Sequence, residues 1–468
     1  MDGQTAGLAA SSLRAGDTSA FLRLVARALQ IGAVVLAAAV RYFVRRARGE
    51  GRTEDALDRL RGDIAAGVLE KLGATFVKFG QILGSRPDLL APGHIEALAR
   101  LQDRVPAAPF HEVARVIAEE LPPPLRARIA VVDAVPIAAA SVAQVHRGVL
   151  DTGEEVALKV QRLAARDQIE RDLALLSFGA RLLDVIPSIR LLSLPGAVDR
   201  FGTALRGQLD FRGEAANNRR FRASFAGMPE VGFPALHDEL CTGRLITMEL
   251  VHGVKASEPE KVGGDRAALA AIGARTVLKM VFLDGFVHAD LHPGNILLTD
   301  DGRVVIVDLG LVAEIAPELL GPWVETFLGL AQQDGKAVAR LLYGYSPSVG
   351  TADYDALERD LVDFFSTLYG RKLGEVETSV AVSGVMNILR RHRVQIDPVF
   401  TVVDIALVVV EGLGKQLDPT LDMMAIALPY LLEGMAKAPP GLKPLREPPA
   451  RKRAPAPALP SAGAEGPS

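Results

Sequence analysis

Cysteine is nearly absent: Cys241 stands alone in 468 residues. One thiol excludes an intramolecular disulfide framework and fits a reducing compartment. Its simplest role is that of a small buried hydrophobe. Charge of one sign is lacking too. The 53 basic and 56 acidic side chains leave a formal net charge of -3, which gives no reason to expect a nucleic acid partner. No internal repeat is visible, and the C-terminal half has no spanning apolar run. FTVVDIALVVVEGL contains Asp404 and falls short of the roughly 20 apolar residues that a bilayer helix needs. What the chain does have is core-forming material, 49% hydrophobic against 23% charged. Its length suggests two to four domains or lobes.

The N-terminal segment, 1–50, holds one apolar run, IGAVVLAAAV at 31–40, followed by RYFVRRARGE. The run is too short to span a bilayer unless Arg27 and Gln30 are counted in. The stronger positive cluster lies after the run, the wrong side for a secretory signal. Two readings stay open. One is an interfacial helix with Arg41, Arg45, Arg46 and Arg48 near lipid phosphates. The other is an Ala-rich helix packed on the main body. The expected location is cytoplasmic, either free or peripheral on the cytoplasmic face of the inner membrane.

Residues 51–128 show helical apolar spacing, punctuated by Pro87, Pro92, Pro106, Pro109 and Pro122 to Pro124. From 129 to 251 strands enter, with helices inserted at RDQIERDLALLSFGARLLDVI and LDFRGEAANNRRF and a short strand at RLITMEL. From 252 to 438 the chain is mostly helical, interrupted by the hairpin pattern NILLTDDGRVVIVDLG at 295–310. The tail, 439–468, is rich in Pro and Ala without periodic apolar residues and reads as disordered.

FVHADLHPGNILL followed by VVIVDLG carries the clearest chemistry. Asp290 and Asn295 stand in D-x-x-x-x-N spacing in a loop, and Asp308 ends an apolar strand just ahead of Gly310. Phosphoryl transfer needs such a set: one carboxylate near the acceptor hydroxyl, plus an amide oxygen and a second carboxylate as hard ligands for Mg²⁺. The order matches the catalytic and metal loops of kinase folds, with Leu309 in the place of the usual Phe. His288 and His292 suggest zinc, but without cysteine they read better as loop-bracing hydrogen bonders. In EVALKV, Val156, Leu158 and Val160 face one way, Ala157 and Lys159 the other. A lysine among apolar residues on a mid-sheet strand should hold the nucleotide phosphates. Its alternative, an edge-strand lysine in solvent, fits the order of elements less well.

LGATFVKFGQILGSRPDLL, PIAAASVAQVH, VALKVQR, LDFRGEAANNRRF and HADLHPGNILL with VDLG together resemble the UbiB/ADCK family of atypical kinases. EGLGKQLDP at 411–419 extends the likeness. The resemblance implies an α+β, bilobal protein-kinase-like fold: a small antiparallel-sheet N-lobe, a mostly helical C-lobe, and a helical extension carrying Lys-x-Gly-Gln. It implies that Lys78 and Gln81 point into the active-site cleft; alone they read as an exposed lysine and a polar cap. It also implies that Glu214 pairs with Lys159, with Glu170 as the other candidate. Glu249 to Val251 would hold adenine through backbone groups. The chain departs from the family at GQLDF, where Gln208 replaces the glutamate that partners the lid lysine, leaving Asp210 as a substitute.

The function implied is an ATP- or ADP-binding, Mg²⁺-dependent kinase or ATPase that supports isoprenoid quinone biosynthesis or related lipid metabolism. Its partners would be an isoprenoid or lipid small molecule, quinone-biosynthesis enzymes and the membrane surface. Two alternatives are a non-catalytic, nucleotide-responsive scaffold for lipid enzymes and a soluble antibiotic-type phosphotransferase. PIAAASVAQVHRG then occupies the place of the kinase glycine-rich loop. Ala138, Ala139, Ala140 and Ser141 should form a stiffer loop than glycines would, because each added Cβ restricts the backbone. That stiffness should shift the preference between ATP and ADP.

Overall fold

The computed structural model describes residues 18–84, 90–101, 106–185, 194–349, 353–368, 378–438 and 443–449. Among the described residues six helices come first: α1 (Thr18–Ala47), α2 (Glu54–Leu72), α3 (Ala74–Gly84), α4 (Pro92–Ala99), α5 (Phe110–Glu120) and α6 (Pro123–Arg126). Their ends follow the sequence. Thr53 caps α2 by accepting from the Ala56 N–H, and Gly73 ends it at φ 91°. Pro92 and Pro123 occupy first turns, where no N–H is needed. Helix α4 has no capping side chain of its own, and Asp58 of α2 supplies one by accepting from Gly93 N–H at 2.7 Å. The two helices cross in close contact. A Cβ on Gly62 would sit 2.5 Å from the Gly93 carbonyl oxygen.

A five-stranded antiparallel sheet follows. Strands β1 (Ile129–Val132), β3 (Ala143–Leu150), β4 (Glu155–Gln161) and β6 (Leu245–Glu249) lie side by side in that order, and β2 (Ala138–Ala139) pairs with β3. The alternation in EVALKV works out as read, with both faces covered. Val156, Leu158 and Val160 pack with Val113, Val116 and Ile117 of α5. The other face meets helices α7 (Ala165–Leu183), α8 (Leu194–Gly207) and α9 (Phe211–Ser224), through Leu173, Leu205 and Phe211. One expectation shifts: the alanines are not all loop. Ala138 and Ala139 pair with Val145 and Gln144, and only the turn from Ala140 to Val142 connects the strands, closed by Ala140 N–H donating to Ala143 O.

Beyond β5 (Val231–Gly232), β6 and β7 (Val254–Lys255) the helical lobe begins with α10 (Arg266–Lys279). A short π-helical turn ends at Gly285, φ 59°, and turns the chain into β8 (Phe286–His288). The DDG stretch does join a hairpin, β9 (Ile296–Leu298) with β10 (Val304–Ile306). The hairpin belongs to a four-stranded sheet completed by β5 and β7, while β11 (Val312–Glu314) pairs with β8. Helices α11 (Pro317–Ala331), α12 (Gly335–Tyr345), α13 (Tyr354–Leu368), α14 (Thr378–Arg391), α15 (Pro398–Leu417) and α16 (Met423–Lys437) complete the core. FTVVDIALVVVEGL lies in α15, with Asp404 only 7% exposed. Part of the tail expected to be disordered is ordered. Over 443–449 the chain lies against α12, with Leu445 N–H donating to Gly344 O and Arg446 donating to the Ser346 carbonyl. A cation at a helix C-terminus meets carbonyls that have no partner within the helix.

Helix α1 resolves the N-terminal question in an unexpected way. It is longer than the apolar run because nothing between Thr18 and Ala47 breaks it, and Leu22–Ala47 is long and apolar enough to cross a membrane by length and composition. Among the described residues it alone is. Yet one stripe, including Ile31, Val34, Ala38 and Tyr42, is only half exposed, while Leu29, Leu36, Val40 and Phe43 face outward. Arg27 fixes the helix to the body through Asp172 of α7, at 2.8 and 3.0 Å, and through the Leu72 carbonyl. Asp172 is 1% exposed, so losing Arg27 strands a buried carboxylate. Arg27→Met is expected to cost about 3 kcal/mol in denaturant titration, and adding Asp172→Asn should recover much of it. A loss below the error of the titration would show that α1 is not seated by this pair.

Candidate active site

Lys159 is set by sheet register. It pairs across Val145 on one side and Ile246 on the other, so its side chain leaves the middle of the sheet toward α9. There Glu214, on the first turn of α9, meets it at 2.7 and 2.8 Å, and Asp308 meets it at 2.7 Å. Glu170, the other candidate, pairs with Arg206 at the surface. One ammonium serves two carboxylates. Burial opposes its charge, but Asp308 and Glu214 outweigh that and raise Lys159 above the ordinary lysine range. Burial also opposes ionisation of Asp308. The charge and hydrogen bond of Lys159, with the charge of Lys78, together outweigh that opposition and hold the carboxyl far below the usual range. Glu214 moves the other way. Burial pushes it up, Lys159 pulls it down, and the charge of Asp308 pushes it up again. The cluster keeps one uncompensated negative charge, on the side facing the cleft.

The loop before β9 is braced as the histidines suggested. His288 Nδ1 accepts from Asp290 N–H at 3.1 Å, so its Nε2–H donates to the Asp308 carbonyl at 3.0 Å. His292 Nδ1 accepts from Gly294 N–H, and among the described residues no His, Cys, Asp and Glu cluster suits a metal. Asn295 donates its amide N–H to the Asp290 carbonyl at 3.1 Å, which leaves its amide oxygen as a ligand. Asn295 and Asp308 thus fit Mg²⁺: two hard oxygen donors beside unbalanced negative charge. Asp308 sits at φ 61°, a left-handed conformation that Asp tolerates better than most residues. Gly310 leaves room beside Glu214: a Cβ there would lie 3.3 Å from Glu214 Oε2, and the carboxylate would have to give way slightly.

The lid is partly as expected. Lys78 of α3 enters the cleft and its Nζ lies 3.9 Å from Asp290 Oδ2. Gln208 lines the same cavity, with Ala140, Lys159, Asp290 and Asp308. Gln81 does not. Its amide donates at 3.2 Å to the Leu101 carbonyl, a group left open just past the end of α4. Nor does Asp210 replace the missing glutamate. It caps α9 through Arg212 N–H and pairs with the Arg212 guanidinium. Glu249 and Val251 lie outside the cavity, and the Glu249 N–H and carboxylate are both engaged with Ala235. Ala138 and Ala139 run up β2, and of the three consecutive alanines only Ala140 lines the cavity, with Ala143 beyond the turn. Ser141 belongs to the turn beside it.

Sequence reading passed over Asn217 and Phe211. Asn217 donates to the Leu309 carbonyl at 2.9 Å and ties α9 to the metal loop. The Phe211 ring centroid lies 5.7 Å from Lys159 Nζ. Their three-residue offsets from Glu214 put them on its face of the helix, and that spacing was the available signal.

Burial lowers the His288 pKa below the ordinary 6.5. The unfolded chain then binds the proton first, so the stability held by neutral His288 is lost as pH falls from 6.5 toward the folded value. Replacing His288 with Gln should flatten the acid limb of a melting-temperature profile. An unchanged limb would remove His288 from the brace.

Residues 100–342 match the ABC1 atypical kinase-like domain and residues 361–422 the UbiB helical domain. The chain is 32% identical over 388 residues to a probable protein kinase UbiB of Marinobacter nauticus, covering 81% of this chain and 70% of that one. An uncharacterized protein of a Synechocystis species is 31% identical over 393 residues, covering 82% and 67%. The solved complex of Rv3197 with erythromycin, from Mycobacterium tuberculosis, aligns at TM-score 0.50 with 23% identity, over 79% of this chain and 95% of that one, and shares the fold. From these matches, the chain belongs to the UbiB family of atypical kinase-like proteins.

Proposed function

We propose that this chain is a Mg-ATP-dependent atypical kinase or ATPase acting on a small molecule or lipid, in support of isoprenoid quinone biosynthesis or related lipid metabolism. The observation that carries the reading is Lys159 held between Glu214 and Asp308, with Asp290 lining the same cleft and Asn295 tied to the Asp290 carbonyl. Lys159 would clamp the phosphates, oriented by Glu214. Asp290 would orient or deprotonate the acceptor hydroxyl. Asn295 and Asp308 would hold Mg²⁺, which neutralises phosphate charge during transfer. A lid helix over the cleft leaves a polypeptide acceptor little room. The quinone link rests on kinship with UbiB proteins, and the outward apolar face of α1 supports peripheral membrane contact.

The cavity is about 60 Å³, against about 300–1,000 Å³ for typical ligand pockets. A triphosphate therefore enters only when Lys78 and Gln208 withdraw. That closed arrangement, with Lys78 beside Asp290, is what favours the second reading, a nucleotide-responsive scaffold without turnover.

Purified protein with Mg²⁺ should release phosphate from ATP, and chelation with EDTA should stop it. Asp308→Asn should lower turnover at least about a hundredfold. Nucleotide binding without phosphate release, even with lipids and acceptors present, would favour the scaffold. Ala139→Gly should change the ratio of ATP to ADP affinity by loosening β2 and its turn. Two unchanged affinities would count against the alanine loop as a control on nucleotide choice.

A further inference from the structure

A second, much smaller cavity adjoins the catalytic cluster. Glu214 and Asp308 line it as they line the nucleotide cavity, and Asn218, Ile246, Met248 and Leu309 form much of the remaining wall. Its volume is about 10 Å³, close to the roughly 10–15 Å³ that one water needs. No part of a nucleotide fits there.

Asn218 is 4% exposed and stands one turn after Glu214 on α9, on the same face. Its amide orientation is set, because Nδ2 donates to the Pro234 carbonyl at 3.0 Å and a flipped amide would bring oxygen against oxygen. That leaves Oδ1 buried with no donor among the described residues. A buried carbonyl oxygen without a donor costs about 1–3 kcal/mol, and ordered water is the common remedy where a small polar cavity adjoins. Glu214 can also take a further donor. Lys159 Nζ reaches both of its oxygens, at 2.7 and 2.8 Å, and the Leu309 N–H adds a third bond. An ionised carboxylate has about four lone-pair sites, so one remains. The two open acceptors border the same cavity, and a group that serves both must carry two donors in the space of one heavy atom.

We infer that one buried water fills this cavity, donating to Asn218 Oδ1 and to the Glu214 carboxylate, and that Asn218 is thereby a positioning residue for the Lys159–Glu214 pair. The inference rests on the reading of Lys159 as the phosphate clamp. The water holds Glu214 in the ionised, oriented form that aims Lys159 at phosphate, and Asn218 holds the water. A donor is needed at that point, since burial and the charge of Asp308 both favour a protonated Glu214. Two adjacent asparagines then serve the cluster from different directions. Asn217 ties α9 to the Leu309 carbonyl directly, and Asn218 backs Glu214 through the water.

A high-resolution crystal structure of the full chain should show one density peak within hydrogen-bond distance of both Asn218 Oδ1 and Glu214. No peak, or a peak that touches Asn218 alone, would overturn the inference. Asn218→Leu removes the acceptor and fills the cavity with methyl groups. It should weaken Mg-ATP binding about fivefold, the worth of one hydrogen bond. It should also move the acid limb of nucleotide binding to higher pH, because a Glu214 that has lost a donor takes a proton more readily. Ala215, 3% exposed, lines the same cavity. Ala215→Val excludes the water while keeping Asn218 and its bond to Pro234, and should move the limb in the same direction. A purely structural Asn218 would lower the melting temperature and leave the limb in place, and an unmoved limb in both variants would overturn the positioning role. Should either variant misfold by circular dichroism, the wild-type density decides. A wild type that binds no Mg-ATP would overturn the phosphate-clamp reading, and with it the positioning role, while the density alone would decide the water.

Discussion

One ammonium shared by two carboxylates organises this molecule. Lys159 comes from the central sheet, Glu214 from a helix inserted after that sheet's fourth strand, and Asp308 from the loop after the C-lobe hairpin. Three segments far apart in sequence meet at distances of 2.7 to 2.8 Å. Removing Lys159 leaves the buried Glu214 carboxylate without compensation, which is costly. The cluster therefore fixes the position of the lobes against each other as well as the chemistry between them. Asn217 on the Leu309 carbonyl and His288 on the Asp308 carbonyl reinforce the same junction.

The closed cleft follows from how the extension is built. Helices α2 and α4 approach through Gly62 and Gly93, and α3 is held beside them through Gln81 on the Leu101 carbonyl. Lys78 is left free to reach Asp290. Gln208, in the same cavity, carries no charge to anchor the lysine, and the Asp290 carboxylate is the acceptor within reach. Lid and loop are thereby coupled by one weak ion pair. Such a contact is easily exchanged for phosphate oxygens of higher charge.

The sequence made much of this legible, unevenly. Long motifs in a fixed order gave the family, the two lobes and the pairing of Lys159 with Glu214. Period-two alternation in EVALKV placed the lysine on the right face of the right strand. The resemblance misled in two places. Lys78 and Gln81 share a helix face, yet an open carbonyl past α4 captures Gln81. Asp210 lies two residues from Gln208, yet helix capping and Arg212 claim it. In both, a local hydrogen-bond partner won over a distant one, and nothing in residue order reveals which carbonyl is left open.

What the sequence by itself determined is the set of groups and the elements that carry them: alternation and capping act over a few residues, so they can be read from a few residues. The tertiary structure alone decided which charges face each other. It seated α1 along α2 with its apolar side outward, sent Arg27 to Asp172, and closed the cleft under Lys78. Those outcomes depend on desolvation and on packing between separate segments, neighbours in sequence for α1 and α2 but 145 residues apart for Arg27 and Asp172, and burial sets the cost of every unpaired charge.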